Sequence, residues 1–277
     1  MKISFIKMVA AGNDYIYLDL REGKDKALSD GDKARIISDG PCLAKRMSDR
    51  RFGVGGDGLI LIDDSKAAHC KMTVFNGDGS RALMCGNALR SVASIVREDG
   101  DQYKTVETDS GVRRVFYGPE GVTAHMGKCK YITSDEGAAY PKQCAEIVRS
   151  FLSFGLFSVG NLHLAAIVPK EVFADFGLIA PLLAKNQSFD GGVNVELGYL
   201  FGGKIITRVY ERGSGETLSC GTGACAISSS AVKGGLIPHG KVRVSFKGGD
   251  LFVEVKKGFD CYLAGDTYKS FTGVFYD

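Results

Sequence analysis

The stretch VYERGSGETLSCGTGACA, residues 209–226, decides the fold, because its pattern occurs a second time in the chain. The earlier copy is VFNGDGSRALMCGNALRSVA, residues 74–93. Each copy reads as a strand, a glycine-rich turn, a Cys-Gly pair and the start of a helix. The copies align without gaps at an offset of 135 residues, with these matches: Val74 with Val209, Phe75 with Tyr210, Leu83 with Leu218, Cys85 with Cys220 and Gly86 with Gly221.

The offset is about half of the 277 residues, so the repeat predicts two similar α/β halves rather than a solenoid. Few identities support the match, and the alternative is a chance likeness between two glycine-rich turns. We place the boundary in the polar, turn-rich stretch TSDEGAAYPKQCA, residues 133–145. The expected domains are therefore residues 1–135 and 136–277.

Hydrophobic patterning predicts strands and helices in both halves. Apolar or alternating runs predict strands, among them ISFIKMV, YIYLDL, GLILID, KMTVFN, LHLAAIV, KVRVSFKGG and FDCYLAG. Helical spacing predicts one helix over residues 29–51, one after Cys85 and one after Cys220. The segment PKEVFADFGLIAPLLAK reads as a further helix, and VNVELGYLFGGKIITRVYE reads as a hairpin.

Composition excludes several classes of protein. A hydrophobic content of 44% and a charged content of 24% are typical of a soluble globular protein. The net charge is +3 with dispersed basic residues, so we expect neither nucleic acid nor a membrane surface as partner. No apolar run reaches the roughly 18–20 residues that a membrane span needs. Without an export signal in the sequence, the expected location is the cytoplasm.

The cysteines divide into three groups by position. Cys85 and Cys220 each stand at a predicted helix N-terminus before a glycine, where the helix dipole and backbone N–H groups favour a thiolate and lower its pKa. Cys225 falls one turn into its helix and is expected to pack. The remaining five are expected to be buried as small apolar residues: Cys42, Cys70, Cys129, Cys144 and Cys261. No C-x-x-C pair and no zinc-like histidine spacing occur, so no metal is predicted.

Two equivalent thiols suit one class of reaction. If the halves pack around a pseudo-twofold axis, Cys85 and Cys220 flank one bound molecule. One thiolate then removes a proton from a stereocentre, and the opposing thiol returns a proton to the other face. On position alone, a catalytic and a packing role for both residues stay open. A disulfide between them is disfavoured by a reducing compartment.

Further segments occur in a recognisable order: FIKMVAAGNDYIYLD, RFGVGGDGLILI, FNGDGS, MCGNALRS, VGNLH, VNVE and YERGSGETLSCGTGACA. Over its full length the chain resembles the diaminopimelate epimerase family, cofactor-independent amino-acid epimerases of lysine and peptidoglycan precursor synthesis. The resemblance implies an α/β (α+β) fold of two pseudo-symmetric halves, each a curved, mainly antiparallel sheet around a central helix, with the active site in the cleft between them. It also implies that no cofactor is needed and that the protein is a homodimer.

The resemblance assigns roles to particular residues. The two catalytic thiols fall on Cys85 and Cys220. The substrate-binding residues are these: Asn13, Asn76, Asn161 and Asn194 by their side chains, Glu211 and Arg212 by their charges, and Gly86, Asn87, Gly221 and Thr222 by their backbone amides. A bidentate arginine suits a distal carboxylate, and a glutamate suits an ammonium group. Read without the resemblance, the asparagines are turn residues and Glu211–Arg212 is a surface ion pair.

The sequence departs from the family pattern around substrate recognition. Ala88 stands for a glycine, Arg81 for an acidic residue, Leu162 for a proline, and Ala10 or Ala11 for a glycine. These changes leave the substrate open between diaminopimelate and another amino acid, histidine being the main alternative. A non-catalytic amino-acid binding protein is the alternative from another class. A pyridoxal-phosphate racemase is disfavoured because no phosphate-binding loop is present.

Overall fold

The computed structural model describes residues 1–118, 121–133, 144–185 and 191–277. They form two units, of which the first contains Met1–Ala124 and Gly265–Asp277 and the second His125–Ala264. Residues 265–277 thus return to the first unit. The predicted boundary between residues 135 and 136 lies outside the described residues and stays a prediction.

The first unit is a mainly antiparallel sheet with helices. Its strands are β1 (Lys2–Ala10), β2 (Asn13–Asp19), β3 (Gly58–Asp63), β4 (Cys70–Asn76), β5 (Arg81–Ala82), β6 (Tyr103–Thr108), β7 (Gly111–Gly118), the start of β8 (Gly121–Lys128) and the last strand, β18 (Tyr268–Tyr276). Its helices are α1 (Asp30–Ser38), α2 (Gly40–Ser48) and α3 (Gly86–Val96). Pairing follows the order β18-β1-β2-β3-β4-β6-β7-β8, with parallel pairs at β2–β3 and β4–β6.

The second unit has the same plan. Its strands are β9 (Lys130–Thr133), β10 (Ser153–Ser158), β11 (Leu162–Ile167), β12 (Asn194–Phe201), β13 (Lys204–Glu211), β14 (Gly215–Thr217), β15 (Gly240–Phe246), β16 (Gly249–Val255) and β17 (Asp260–Gly265). Its helices are α4 (Ala145–Val148), α5 (Lys170–Ala174), α6 (Phe176–Ala184) and α7 (Gly221–Lys233), and Lys257–Phe259 form a short 3₁₀ turn. Pairing follows β9-β10-β11-β12-β13-β15-β16-β17, with parallel pairs at β11–β12 and β13–β15.

The internal repeat is visible in the strand register. In the first unit, β5 lies on β4 with Val74 opposite Ala82 and Phe75 opposite Arg81. In the second, β14 lies on β13 with Val209 opposite Thr217 and Tyr210 opposite Glu216. Each residue in the second set of matches follows its counterpart in the first set by 135 residues, which is the offset of the sequence alignment. The predicted fold class, mixed α/β with two similar halves, is confirmed.

The core of each unit lies where its helices cover the sheet. In the first unit, Ile16, Leu18 and Leu59 pack with Met47 of α2, and α3 lies against β1, β2 and β6. In the second, α7 lies against β10, β11 and β12 and is buried over Gly221–Ala231. A central helix that is apolar around most of its surface needs such cover on several sides.

Two predicted helices are each broken in two. Residues 29–51 form α1 and α2, separated at Asp39, and Pro41 stands in the first turn of α2. Proline fits the first turn of a helix because its missing N–H has no partner there, which favours a new start at this point. Residues 169–185 form α5 and α6, separated at Asp175. Strands β10 and β18 were not predicted, and neither were the short strands β5, β9 and β14. Among the described residues, no helix is long and apolar enough to span a membrane.

Candidate active site

Cys85 occupies the same local position as Cys220, one in each unit. Cys85 is the N-cap residue of α3 with φ −132° and ψ 119°. Cys220 is the N-cap residue of α7 with φ −139° and ψ 122°. Both residues have the extended backbone that a residue just outside a helix adopts. The predicted placement of each thiol at a helix N-terminus is therefore confirmed.

In the first unit, Asn13 and Asn87 lie in one hydrogen-bond chain. Asn13 opens β2 and donates from Nδ2 to Asp57 Oδ2 at 3.2 Å. Its Oδ1 accepts a hydrogen bond from Asn87 Nδ2. Asn87 Oδ1 in turn accepts from Arg90 Nη2 at 2.9 Å. Asn76 is separate from this chain: it ends β4 and donates from Nδ2 to Ser80 Oγ at 2.9 Å, as its turn reading predicted.

Cys220 is held by the first turn of α7. Its Sγ accepts from the backbone N–H of Gly223 at 3.4 Å and lies 3.3 Å from the hydroxyl oxygen of Thr222. Gly221 and Thr222 are the first residues of the helix, where backbone N–H groups point out of the N-terminus. The residue is only 8% exposed.

The electrostatic environment of Cys220 opposes ionisation. Burial raises the pKa of the Cys220 thiol well above its ordinary value, and the carboxylates of Glu211 and Glu196 raise it further. The hydrogen bonds from Thr222 and Gly223 lower this pKa but do not outweigh burial. The prediction that the helix N-terminus lowers the pKa is therefore wrong for Cys220, because desolvation disfavours the charged form more strongly.

Glu211 and Arg212 lie at the end of β13. The Glu211 carboxylate accepts from the Thr217 hydroxyl at 2.5 Å, and burial raises the pKa of Glu211. Arg212 is exposed, and its backbone N–H donates to Asn194 Oδ1 at 2.9 Å. Asn194 also donates from Nδ2 to the carbonyl of Leu162 at 2.9 Å. Asn194 is thus fixed by two backbone groups.

Two residues that the sequence analysis missed organise the second unit. His163 and Glu196 are both fully buried, and His163 Nδ1 lies 2.8 Å from Glu196 Oε1. The other ring nitrogen of His163, Nε2, lies 3.0 Å from Asn161 Oδ1. The available signal was a polar, titratable residue inside each of two apolar strands, in NLHLAA and in VNVELGY, because a buried polar group needs a partner.

His163, Glu196 and Cys220 also form a group of potential metal ligands. One ligand atom from each lies within 4.8 Å of the others. Both ring nitrogens of His163 already have hydrogen-bond partners, Glu196 and Asn161. Hydrogen bonding therefore accounts for the close approach of His163 and Glu196. The expectation that no metal is needed stays a prediction.

All eight cysteines lie among the described residues, and none forms a disulfide. The expectation of burial is confirmed for Cys70, Cys129, Cys144 and Cys261, and Cys225 packs within α7 as predicted. It is wrong for Cys42, which is exposed on α2. An apolar environment was expected from residue type alone, but position 42 lies on the solvent side of an amphipathic helix.

Two departures from the family pattern have local explanations. Arg81, on β5, forms a two-pronged ion pair with Asp109, with distances of 2.5 Å from Nε and 2.8 Å from Nη2. Its charge is therefore neutralised within the first unit. Ala88 is fully buried in α3, so its methyl group belongs to the packed interior.

Comparison with known proteins fixes the relationship. The family model described as Diaminopimelate epimerase matches residues 5–132 and 155–269. The chain belongs to the diaminopimelate epimerase family. The resemblance drawn from its motifs is confirmed, and as an epimerase of this family the chain is an isomerase.

Its curated relatives match along nearly their whole length. A diaminopimelate epimerase of Leptospira biflexa is 32% identical, with 99% of each chain covered. One from Desulfovibrio desulfuricans is 34% identical, covering 99% of this chain and 98% of its own. One from Methanococcus maripaludis is 35% identical, covering 98% of this chain and 99% of its own.

Solved structures share the fold at low identity. A phenazine biosynthesis protein of the PhzF family from Bacillus anthracis has a TM-score of 0.69 and 14% identity, with 100% of each chain covered. A predicted epimerase from Pseudomonas aeruginosa has a TM-score of 0.64 and 17% identity, with 99% of each covered. A hydroxyproline epimerase from Agrobacterium vitis, with bound trans-4-hydroxy-L-proline, has a TM-score of 0.60 and 13% identity, covering 99% of this chain and 92% of its own. At these identities the likeness concerns the fold alone.

Proposed function

We propose that this protein interconverts LL- and meso-diaminopimelate by proton transfer at one stereocentre, without a cofactor, in lysine biosynthesis. The observation that carries the proposal is the equivalent placement of Cys85 and Cys220, each an extended N-cap residue before a central helix of a duplicated unit. Relatives of 32–35% identity over nearly the full length, which bear the name diaminopimelate epimerase, support the substrate.

In this proposal the two cysteines are the acid/base pair and act on opposite faces of the substrate carbon. The raised pKa of Cys220 suits it to hold the proton when the enzyme is at rest. Cys85 then acts as thiolate base, and the reverse reaction exchanges the roles. The first-turn amides of Gly86, Asn87, Gly221 and Thr222 stabilise charge on the reacting carboxylate. Asn13, Asn76, Asn161, Asn194, Glu211 and Arg212 bind the remaining polar groups.

Racemisation of histidine is the alternative within the same chemistry. It was suggested by the departures at Ala88, Arg81 and Leu162. The ion pair of Arg81 with Asp109 and the burial of Ala88 weaken that suggestion, because neither residue then acts on the ligand as an unpaired charge or an exposed methyl group. Diaminopimelate is therefore the preferred substrate.

Solvent deuterium incorporation at Cα tests the proposal, measured separately with diaminopimelate and with L-histidine. We expect exchange with diaminopimelate. Exchange with histidine alone contradicts the substrate, and saturable binding without exchange indicates the non-catalytic alternative. Turnover that depends on pyridoxal phosphate contradicts the absence of a cofactor.

Cysteine variants test the assignment of the acid/base pair. We expect Cys85→Ser and Cys220→Ser to reduce inversion by at least about 100-fold while substrate binding changes far less. The exposed Cys42 provides the control, since Cys42→Ser removes a thiol that has no part in the proposed site. Equal activity in all three variants contradicts the two-thiol mechanism.

We further propose a homodimer that works in the cytoplasm. Eight cysteines without a disulfide are typical of a reducing compartment. The last strand, β18, exposes four large apolar side chains that a second copy can cover: Tyr268, Phe271, Val274 and Tyr276. Sedimentation should give a dimer at micromolar concentration, and a monomer there contradicts the proposal.

A further inference from the structure

A polar chain runs through the first unit from the buried Arg90 to the half-buried Asp57. Arg90 Nη2 donates to Asn87 Oδ1 at 2.9 Å, Asn87 Nδ2 donates to Asn13 Oδ1, and Asn13 Nδ2 donates to Asp57 Oδ2 at 3.2 Å. Arg90 is fully buried, and Asn87 is 1% exposed. We call these four residues the Arg90–Asp57 relay.

The hydrogen bonds of the relay can run in only one direction, with the donor of each bond on the Arg90 side and every amide nitrogen turned toward Asp57. A guanidinium group has donors and no acceptor, whereas a carboxylate has acceptors and no donor. Between these two ends, each amide must present its oxygen toward Arg90 and its nitrogen toward Asp57. Turning either amide over places two donors or two acceptors against each other, which is costly for buried groups.

Both ends of the relay are fixed by further hydrogen bonds. Arg90 also donates to the carbonyls of Gly86 at 3.2 Å and Gly265 at 3.3 Å. Asp57 also accepts from the backbone N–H of Asp14 at 3.0 Å and from Arg50 Nη2 at 3.0 Å. An apolar side chain would fill the site of Arg90 without the cost of burying a charge. The guanidinium group is instead hydrogen-bonded to two backbone carbonyls and to Asn87.

We propose that Arg90 and Asp57 are positioning residues that set the orientation of the Asn13 amide toward the substrate. The relay uses one of the two N–H groups of Asn13 and one of the two lone pairs of its oxygen. The second N–H and the second lone pair then face a ligand with a defined polarity. This inference rests on the proposed function, in which Asn13 binds the substrate.

Arg90→Gln and Arg90→Lys separate positioning from packing. Glutamine fills much of the space but has both a donor and an acceptor, so it no longer dictates the direction of the relay. Lysine has donors only and keeps it. We expect Arg90→Gln and Asp57→Asn to raise KM for diaminopimelate about tenfold with a smaller change in kcat, and Arg90→Lys to stay within about threefold of wild type.

Arg97 provides a matched control at the end of the same helix. Its guanidinium group lies over the Tyr117 ring, 4.8 Å from the centroid, and takes no part in the relay. Arg97→Gln makes the same chemical change and should leave KM unchanged. Side-chain amide NMR signals of Asn13, recorded with and without meso-diaminopimelate, give a direct reading. They should shift in Arg90→Gln and remain near wild type in Arg90→Lys.

The possible results are distinguishable. If wild type exchanges deuterium into neither diaminopimelate nor histidine, the proposed function fails. If wild type is active and Arg90→Gln, Asp57→Asn and Arg97→Gln share its KM, the positioning role is wrong. If Arg90→Gln and Arg90→Lys lose thermal stability alike and KM does not change, the relay is structural only, which also overturns the proposal.

Discussion

At the scale of single residues, Cys220 shows how burial and local charge oppose a helix terminus. A first-turn N–H and a hydroxyl group stabilise the thiolate, but the thiol is nearly enclosed and two carboxylates raise its pKa. Glu196 is also the partner of His163, and its second oxygen has no hydrogen-bond partner among the described residues. Gly223 permits this arrangement, because an added Cβ would collide with the Glu196 carboxylate.

Glu196→Gln tests the contribution of that carboxylate. Removing its negative charge lessens the electrostatic cost of the thiolate, so the pKa of Cys220 should fall toward its ordinary value. The pH midpoint for alkylation of Cys220, followed by mass spectrometry, should therefore move to lower pH. Glu254→Gln, on β16 of the same unit, is the control and should leave the midpoint unchanged. A midpoint that stays in place or rises in Glu196→Gln contradicts this explanation.

At the scale of elements, each unit has an ion pair between its short strand and the turn of the neighbouring hairpin. The positive and negative partners are exchanged between the two units. In the first unit Arg81 of β5 pairs with Asp109, in the turn between β6 and β7. In the second, Glu216 of β14 pairs with Lys247, in the turn between β15 and β16, at 2.7 Å. Arg208 also binds Glu216, and with Lys247 it lowers the pKa of Glu216 to about 2. Each ion pair therefore fixes the short strand that precedes a cysteine, β5 before Cys85 and β14 before Cys220.

Exchanging the two charges of the Arg81–Asp109 ion pair tests what stabilises the protein: the presence of an ion pair at this place, or the particular residue that carries each charge. We expect Arg81→Glu alone to destabilise the protein by about 0.5–1 kcal/mol, because the pair is largely exposed and the change places two acidic groups together. Adding Asp109→Lys reproduces the polarity of the second unit and should recover most of that loss in the free energy of unfolding. Chemical denaturation of the two single variants and the double variant gives the coupling. Strictly additive effects would show that the pair is not coupled.

At the scale of the whole molecule, sequence patterning predicted the duplication because both copies keep a strand, a turn and a Cys-Gly pair at one offset. Strands β10 and β18 escaped prediction since their side chains do not alternate cleanly between buried and exposed. The break at Asp39 coincides with Pro41 in the first turn of α2, a signal that hydrophobic spacing alone does not record. The break at Asp175 has no comparable proline at the start of α6. The Arg90–Asp57 relay and the His163–Glu196 pair each join residues far apart in the chain. Only the folded units bring such residues together.

Oxidation tests the proposed cooperation of the two units. If Cys85 and Cys220 act on one carbon, an oxidant such as diamide should join them, taking up two protons and two electrons as the S–S bond forms. We expect loss of epimerase activity, a Cys85–Cys220 disulfide in peptide maps, and recovery with a thiol reductant. The buried thiols of Cys129, Cys225 and Cys261 provide the internal comparison, because Cys261 is within hydrogen-bonding reach of both others. Cys261→Ser should therefore leave the inactivation unchanged, and full activity after complete oxidation of Cys85 and Cys220 would contradict their shared role.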